Sequence, residues 1–331
     1  MTTKEEIKHF QKIYNPIFIK RVTELLEEQS EFYPTKLDNQ IKKTLLDYCN
    51  SGKRIRPFLI YFFSGENLDN ENLRNLTLAS ELFHLAALLQ DDVMDESLVR
   101  RNVPTINAFG KTLADNNKNL GDHLGILLGD VFWTASMEHA SYLPRHVFKE
   151  FMTMIQRTVR GQFLDVVGMN EEYGSTSESD VLARHNLKTA WYTFTSPARL
   201  GCMISKNEGE KYLEVTTPIV RELGLLFQIR DDIIDCIDEN SGKALFGDIM
   251  ENQTTWVTLY IKKHHPDKFK EILKAKHSGN RVLLKSIFEE IDLVAPYQIE
   301  FKQREHMIND ISEDHKNIKQ KAQEVLDLLT L

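Results

Sequence analysis

Asp91, Asp92 and Asp95 form a DDxxD pattern, and Asp231, Asp232 and Asp235 repeat it much later in the chain. An α-helix turns about 100° per residue, so the first and third carboxylates of each triplet stand one turn apart on one face. The second lies beside the first. Carboxylates packed this closely repel one another, and hard divalent cations relieve the conflict. Mg²⁺ in particular takes one or two carboxylates together with phosphate oxygens and keeps several waters. A single such triplet in a chain with 49 acidic residues reads as a solvated helix face or a helix N-terminal turn. Here two triplets each follow an apolar run, Leu82 to Leu89 and Leu223 to Ile229, which places both at the mouth of a core. Two clusters facing each other across a helical bundle would grip a diphosphate through metal.

Cationic residues lie near the first triplet. In the segment from Gly52 to Pro57, Lys53 and Arg56 are three apart, so on a helix their charges converge, and an open helix end adds backbone N–H groups for an anion. That suits a diphosphate. A solvated basic turn is the bland alternative. Arg100 and Arg101, just after the triplet, are adjacent, point in different directions and could serve two different anions.

The elements that position these residues are helical almost throughout. Apolar positions recur at three and four spacing over 3–30, 37–50, 54–66, 71–98, 121–142, 146–170, 178–205, 209–238, 253–263, 266–275, 280–291 and 293–329. Breakers separate them, among them Pro34, Gly52, Pro144, Gly174, Gly242 and Pro266. No convincing alternating strand is present, and the tract from Asp115 to Asp122 reads as an exposed loop. The last helix, rich in Lys, Glu and Gln, is expected on the outside. With 331 residues, 41% hydrophobic content, only 15 Gly and 9 Pro and no linker tract, the chain reads as one large all-α domain over 1–331. A net charge of −8 without a basic stripe argues against nucleic acid as a partner. Cys49, Cys202 and Cys236 show no paired spacing, the N-terminal residues lack a signal-peptide core, and no apolar run reaches the ~20 residues that span a bilayer. These features imply a cytoplasmic protein with reduced thiols and no transmembrane segment.

The order of motifs resembles the trans-isoprenyl diphosphate synthases. It runs through the basic turn at 52–57, Glu81 and His84, the first triplet, Arg100 and Arg101, Gly161, Gln162 and Asp165, Lys188 and Thr189, Phe227 and Gln228, and the second triplet. Lys188 to Phe194, Lys243 and Asp248 to Trp256 look closest to the farnesyl and geranylgeranyl branches. The resemblance implies the all-helical isoprenoid synthase fold with a central active-site cavity, a homodimer, and three Mg²⁺ per active site. Carried over residue by residue, Asp91, Asp95 and Asp231 bind Mg²⁺ directly, with Asp92, Asp232 and Asp235 supporting. Arg100, Lys188 and Lys243 contact the diphosphate of an allylic substrate. Lys53, Arg56, His84 and Arg101 hold isopentenyl diphosphate, while Thr189 and Gln228 line the reaction centre. The implied chemistry is ionisation of the allylic C–O bond, attack by the double bond of isopentenyl diphosphate, and loss of a proton to the released pyrophosphate.

Chain length follows from the first acidic helix. Ala87, Ala86 and Phe83 lie four, five and eight residues before Asp91, toward the interior. Alanine leaves the first turn down open, and a floor at Phe83 about one 5.4 Å turn lower admits one further C5 unit, which favours a C20 product and leaves farnesyl or longer products as alternatives. Trp133 and Met137 could also close the tunnel, although such residues are commonly core packing. Three positions depart from the family pattern or stand apart from it. Gln253 occupies the place of a phosphate-binding lysine, Asn102 that of a glycine, and Arg199 either approaches the cavity or forms a surface salt bridge. Gln253 leaves a terpene cyclase on the same fold as an alternative, and a non-catalytic partner subunit is a second.

Overall fold

The computed structural model describes residues 3–30, 35–50, 52–100, 102–113, 118–168, 171–206, 209–239 and 245–331, and within them the three-and-four apolar spacing is helical almost everywhere. The chain divides into two compact units, Met1–Phe148 and Lys149–Leu331.

The first unit is built from α1 (Thr3–Ser30), α2 (Thr35–Asn50), α3 (Ile55–Ser64), α4 (Glu71–Met94), α5 (Ile106–Thr112) and α6 (Lys118–Ser141). Asn70 starts α4 as an N-cap, its side chain accepting from the Leu73 amide at 3.3 Å. The helix then buries Leu73, Leu76, Leu82, Phe83, Ala86 and Leu89 and packs chiefly against α6. Between α4 and α5 two short strands, β1 (Val99–Arg100) and β2 (Val103–Pro104), pair antiparallel. Their turn needs a left-handed residue, and Asn102 takes φ 65° there. Asparagine is the side chain best suited to that conformation after glycine, which accounts for its presence at a glycine position. The exposed loop expected over 115–122 is corrected in its second half. Residues 114–117 lie outside the described residues, but α6 already runs from Lys118. Gly121 in its first turn lets α6 pack closely on α5, because a Cβ there would stand 2.1 Å from the Asn107 carbonyl oxygen.

The second unit begins within α7 (Arg145–Gly168), at Lys149, and continues through α8 (Glu178–His185), α9 (Ser196–Ile204), α10 (Leu213–Ile237), the short α11 (Gly247–Met250), α12 (Trp256–His264), α13 (Pro266–His277), α14 (Arg281–Phe288), α15 (Val294–Ile311) and α16 (Lys316–Leu326). The single helix expected over 178–205 is interrupted by a π-helix over Asn186–Thr195. Five-residue hydrogen bonding is rare and recurs at functional sites. It lies against α10 at Gly224, where a Cβ would be 2.7 Å from both Cα and Cβ of Ala190. α10 also meets α15 and α16, and α16 buries Ile318, Ala322, Val325 and Leu326 beneath its polar face.

Candidate active site

The first acidic triplet ends α4: Asp91 and Asp92 occupy its last turn and Asp95 is the C-cap, with the Asp95 amide donating to the Asp91 carbonyl at 2.8 Å. A helix C-terminus already carries partial negative charge and no basic residue occupies this last turn, so the carboxylates lie where an isolated helix would disfavour them. The three side chains differ in what they can reach. Asp91 and Asp95 are partly accessible, whereas Asp92 is buried. The Tyr48 hydroxyl on α2 donates to Asp92 Oδ2 at 2.7 Å, and Arg100 Nε donates to Asp92 Oδ1 at 2.7 Å. Arg100 Nη2 also reaches Asp91 Oδ2 at 3.3 Å. Burial pushes the Asp92 carboxyl upward, opposed by the Arg100 charge and the Tyr48 hydrogen bond. Burial alone would lower the Arg100 pKa, but Tyr48, Asp92 and Asp91 outweigh it, so the net shift is upward and the guanidinium stays charged. Asn107 of α5 fixes the hairpin that carries Arg100, donating to the carbonyls of Asp92 at 3.1 Å and Ser97 at 3.2 Å.

The basic turn departs from the sequence expectation. Arg54 takes φ 57° and α3 begins only at Ile55, so the helical spacing expected to bring Lys53 and Arg56 together does not apply. Lys53 is exposed and Arg56 half-buried. Arg54, not singled out by the sequence, is buried and pairs with Glu81 of α4 at 2.8 Å. Its Nε donates to Asn15 Oδ1 at 2.9 Å, and its Nη2 donates to the Cys49 carbonyl. His84, one turn after Glu81, lines a small cavity with Tyr48, Cys49, Arg54, Glu81 and Leu88. Beneath the triplet Ala86 is buried and Ala87 half-buried. Phe83 meets the edge of Trp133 with ring centroids 5.2 Å apart.

The second triplet repeats the division in α10. Asp231 is exposed, Asp232 buried and Asp235 intermediate. Gln228 Nε2 donates to Asp232 Oδ1 at 2.6 Å and the Trp256 amide donates to Oδ2 at 3.1 Å. His185 Nε2 lies 3.7 Å from the same Oδ2. Burial, with the charges of Asp231 and Asp235 adding to it, pushes the Asp232 carboxyl up to about 8 against the pull of Gln228 and Trp256. Asp235 receives the amides of Gly247 at 3.2 Å and Asp248 at 3.3 Å. The segment that supplies the Trp256 amide is held in turn by Arg184. This buried guanidinium donates to the Thr254 carbonyl and lies 3.6 Å from Asp165 Oδ1. Arg184 and His185 carried no sequence signal apart from lying just before Lys188. Gln253 is buried with neither amide atom hydrogen-bonded. Arg199 pairs with Glu150 at 2.7 Å and donates to Thr217 Oγ1 at 2.8 Å, which is the salt-bridge alternative in partly buried form. Arg101 and Lys243 lie outside the described residues, as do the side chains of Lys188 and Thr189.

The donor chemistry fits Mg²⁺. Both triplets offer only hard oxygen ligands at helix C-terminal ends, and the upward shift of Asp232 comes first from burial, with the Asp231 and Asp235 charges adding to it. Among the described residues no three His, Cys, Asp or Glu side chains form a closed cage for a metal. A site completed by substrate phosphates needs none.

The family model described as polyprenyl synthetase matches residues 38–291. A short chain isoprenyl diphosphate synthase from Methanocaldococcus jannaschii is 27% identical over 289 residues, covering 85% of this chain and 84% of the relative. A geranylgeranyl pyrophosphate synthase from Schizosaccharomyces pombe is 23% identical, covering 90% and 87%. Among solved structures, a geranylgeranyl pyrophosphate synthase from Corynebacterium glutamicum, complexed with isoprenyl diphosphate and magnesium, superposes with a TM-score of 0.75 at 19% identity. It covers 95% of this chain and 97% of that one, a likeness of fold.

Proposed function

This chain belongs to the polyprenyl synthetase family, and on that premise we propose that it condenses isopentenyl diphosphate with an allylic diphosphate, head to tail and trans, releasing pyrophosphate and making a C20 product. The observation that carries the proposal is the duplicated triplet. In both copies the first aspartate is accessible and the second is buried under two donors, as expected of a ligand beside its support.

Bound Mg²⁺ supplies positive charge for a diphosphate leaving group. Asp91, Asp95 and Asp231 are the ligands in this reading and Asp92, Asp232 and Asp235 their supports, with three ions per site. Arg100, held by Asp91 and Asp92, turns its remaining donor capacity to the allylic diphosphate together with Lys188 and Lys243. Lys53, Arg56, His84 and Arg101 hold isopentenyl diphosphate. Gln228, through Asp232, and Thr189 shape the reaction centre. The allylic C–O bond breaks, the isopentenyl double bond forms the new C–C bond, and the proton leaves with the pyrophosphate. The Phe83 and Trp133 contact supports a tunnel floor one turn below Ala86 and Ala87. One domain over 1–331, a homodimer and a cytoplasmic location belong to the same reading.

The test is incubation with Mg²⁺, labelled isopentenyl diphosphate and C5, C10 or C15 allylic diphosphates, followed by chain-length analysis. A C20 prenyl alcohol after dephosphorylation is expected, and Asp91→Ala or Asp231→Ala should abolish incorporation while leaving the helical content intact. Consumption of allylic substrate to hydrocarbon without label would identify a cyclase instead. Full turnover by either variant would overturn the metal assignment.

A further inference from the structure

The last turn of α2 is fastened to α4 at two points, and one of them is an acidic-triplet carboxylate. The Cys49 carbonyl accepts from Arg54, which pairs with Glu81, and the neighbouring Tyr48 hydroxyl donates to Asp92. Glu81, His84, Leu88 and Asp92 succeed one another along the face of α4 that meets these groups, at helical spacing of three and four. Asp92 has little freedom of its own, since its second oxygen is taken by Arg100, which also holds Asp91. The phenol therefore sets the rotation of the Asp92 carboxylate, that carboxylate sets Arg100, and Arg100 sets the accessible Asp91. Tyr48 is itself 1% exposed, and its hydroxyl reaches the triplet through Asp92.

We propose that Tyr48 is a positioning residue for the metal-facing carboxylates of α4, acting through Asp92 and Arg100 from the helix that leads into the basic turn. The inference rests on the metal assignment above but does not depend on which prenyl acceptor or product the enzyme uses. Partners in the outer shell of a metal site orient its ligands, and losing one weakens affinity or activity by about tenfold or more. Tyr48→Phe removes the hydroxyl and keeps the ring. Tyr14 provides the matched control. It is equally buried, its hydroxyl donates to the Thr77 carbonyl of the same helix at 2.9 Å, and it makes no contact with the triplet.

The experiment is titration of the full-length protein with Mn²⁺ in the presence of inorganic pyrophosphate, followed by electron paramagnetic resonance, with thermal unfolding of each variant alongside. Tyr48→Phe should bind Mn²⁺ about tenfold more weakly, whereas Tyr14→Phe should bind as wild type even where its unfolding midpoint falls. In turnover, Tyr48→Phe should raise the Mg²⁺ concentration for half activity and leave the KM for isopentenyl diphosphate unchanged. Wild-type Mn²⁺ affinity in Tyr48→Phe, or an equal loss in both variants, overturns the proposal. If the wild type binds Mn²⁺ with pyrophosphate yet incorporates no label, the condensation reading falls and the Tyr48 comparison still stands. If the wild type binds no Mn²⁺, both fall.

Discussion

Arg54 and Glu81 meet at 2.8 Å with side-chain exposures of only 2% and 5%, so each charge depends on the other for what water no longer supplies. The sequence marked Glu81 only as a motif position and passed over Arg54 between two basic residues that looked more functional. Its neighbour Lys53 is the exposed one, while Arg54, with a left-handed backbone, is buried. Breaking such a pair from one side leaves an uncompensated buried charge. Arg54→Met is therefore expected to cost about 3–5 kcal/mol, read as a lower denaturant midpoint, while Arg54→Met with Glu81→Leu should recover most of that loss. A double variant as unstable as the single would mean that Arg54 acts through packing on the Phe18 ring, 4.5 Å from its guanidinium, instead of through charge.

At the scale of elements, the least anticipated feature is the π-helix over Asn186–Thr195, which contains Lys188 and Thr189. Its apolar spacing reads as ordinary helix, because one π segment shifts the register without removing hydrophobic positions. It packs against Gly224, a residue in another helix whose missing side chain lets α10 approach the Ala190 backbone. Gly224→Ala forces a Cβ to within 2.7 Å of Ala190 Cα, where backbone must move. The expected outcome is a drop in kcat of about tenfold or more, as for a small misplacement of catalytic groups, with helical content by circular dichroism unchanged. Unaltered kcat would separate the π segment from catalysis. The acidic triplets, by contrast, were legible, since paired spacing and flanking apolar runs survive translation into helices. Their unequal burial was not, because it depends on Tyr48, Arg100, Gln228 and the Trp256 amide arriving from other elements.

At the scale of the whole molecule, a triplet carboxylate buried away from water works against the fold once it is ionised. Asp232 is pushed up to about 8 in the folded protein, against about 3.9 for an unperturbed aspartate. Between those values the folded state keeps a proton that the unfolded state has released, so this group's contribution to stability falls as pH rises and levels off above about 8. Metal needs the deprotonated carboxylate. The unfolding midpoint of metal-free protein should therefore decline from pH 6 to pH 8 more steeply than that of Asp232→Asn. The gain in Tm from Mg²⁺ with pyrophosphate should be larger at pH 8 than at pH 6. A steeper decline in Asp232→Asn would show that other groups govern the trend. Among the described residues no helix is long and apolar enough to cross a membrane, and all three cysteines are buried free thiols.

Composition and periodicity alone determined the all-helical class, and the order of motifs determined the family, because both are properties of local spacing that need no partner from elsewhere in the chain. The tertiary structure decided which member of each triplet is accessible, which arginine is structural and where a helix changes its hydrogen bonding. Those outcomes depend on hydrogen bonds between residues distant in sequence, such as Tyr48 with Asp92 and Arg184 with Thr254, and on one close backbone approach at Gly224. Burial makes these long-range contacts energetically decisive, since a charged or polar group removed from water must find its partner within the fold.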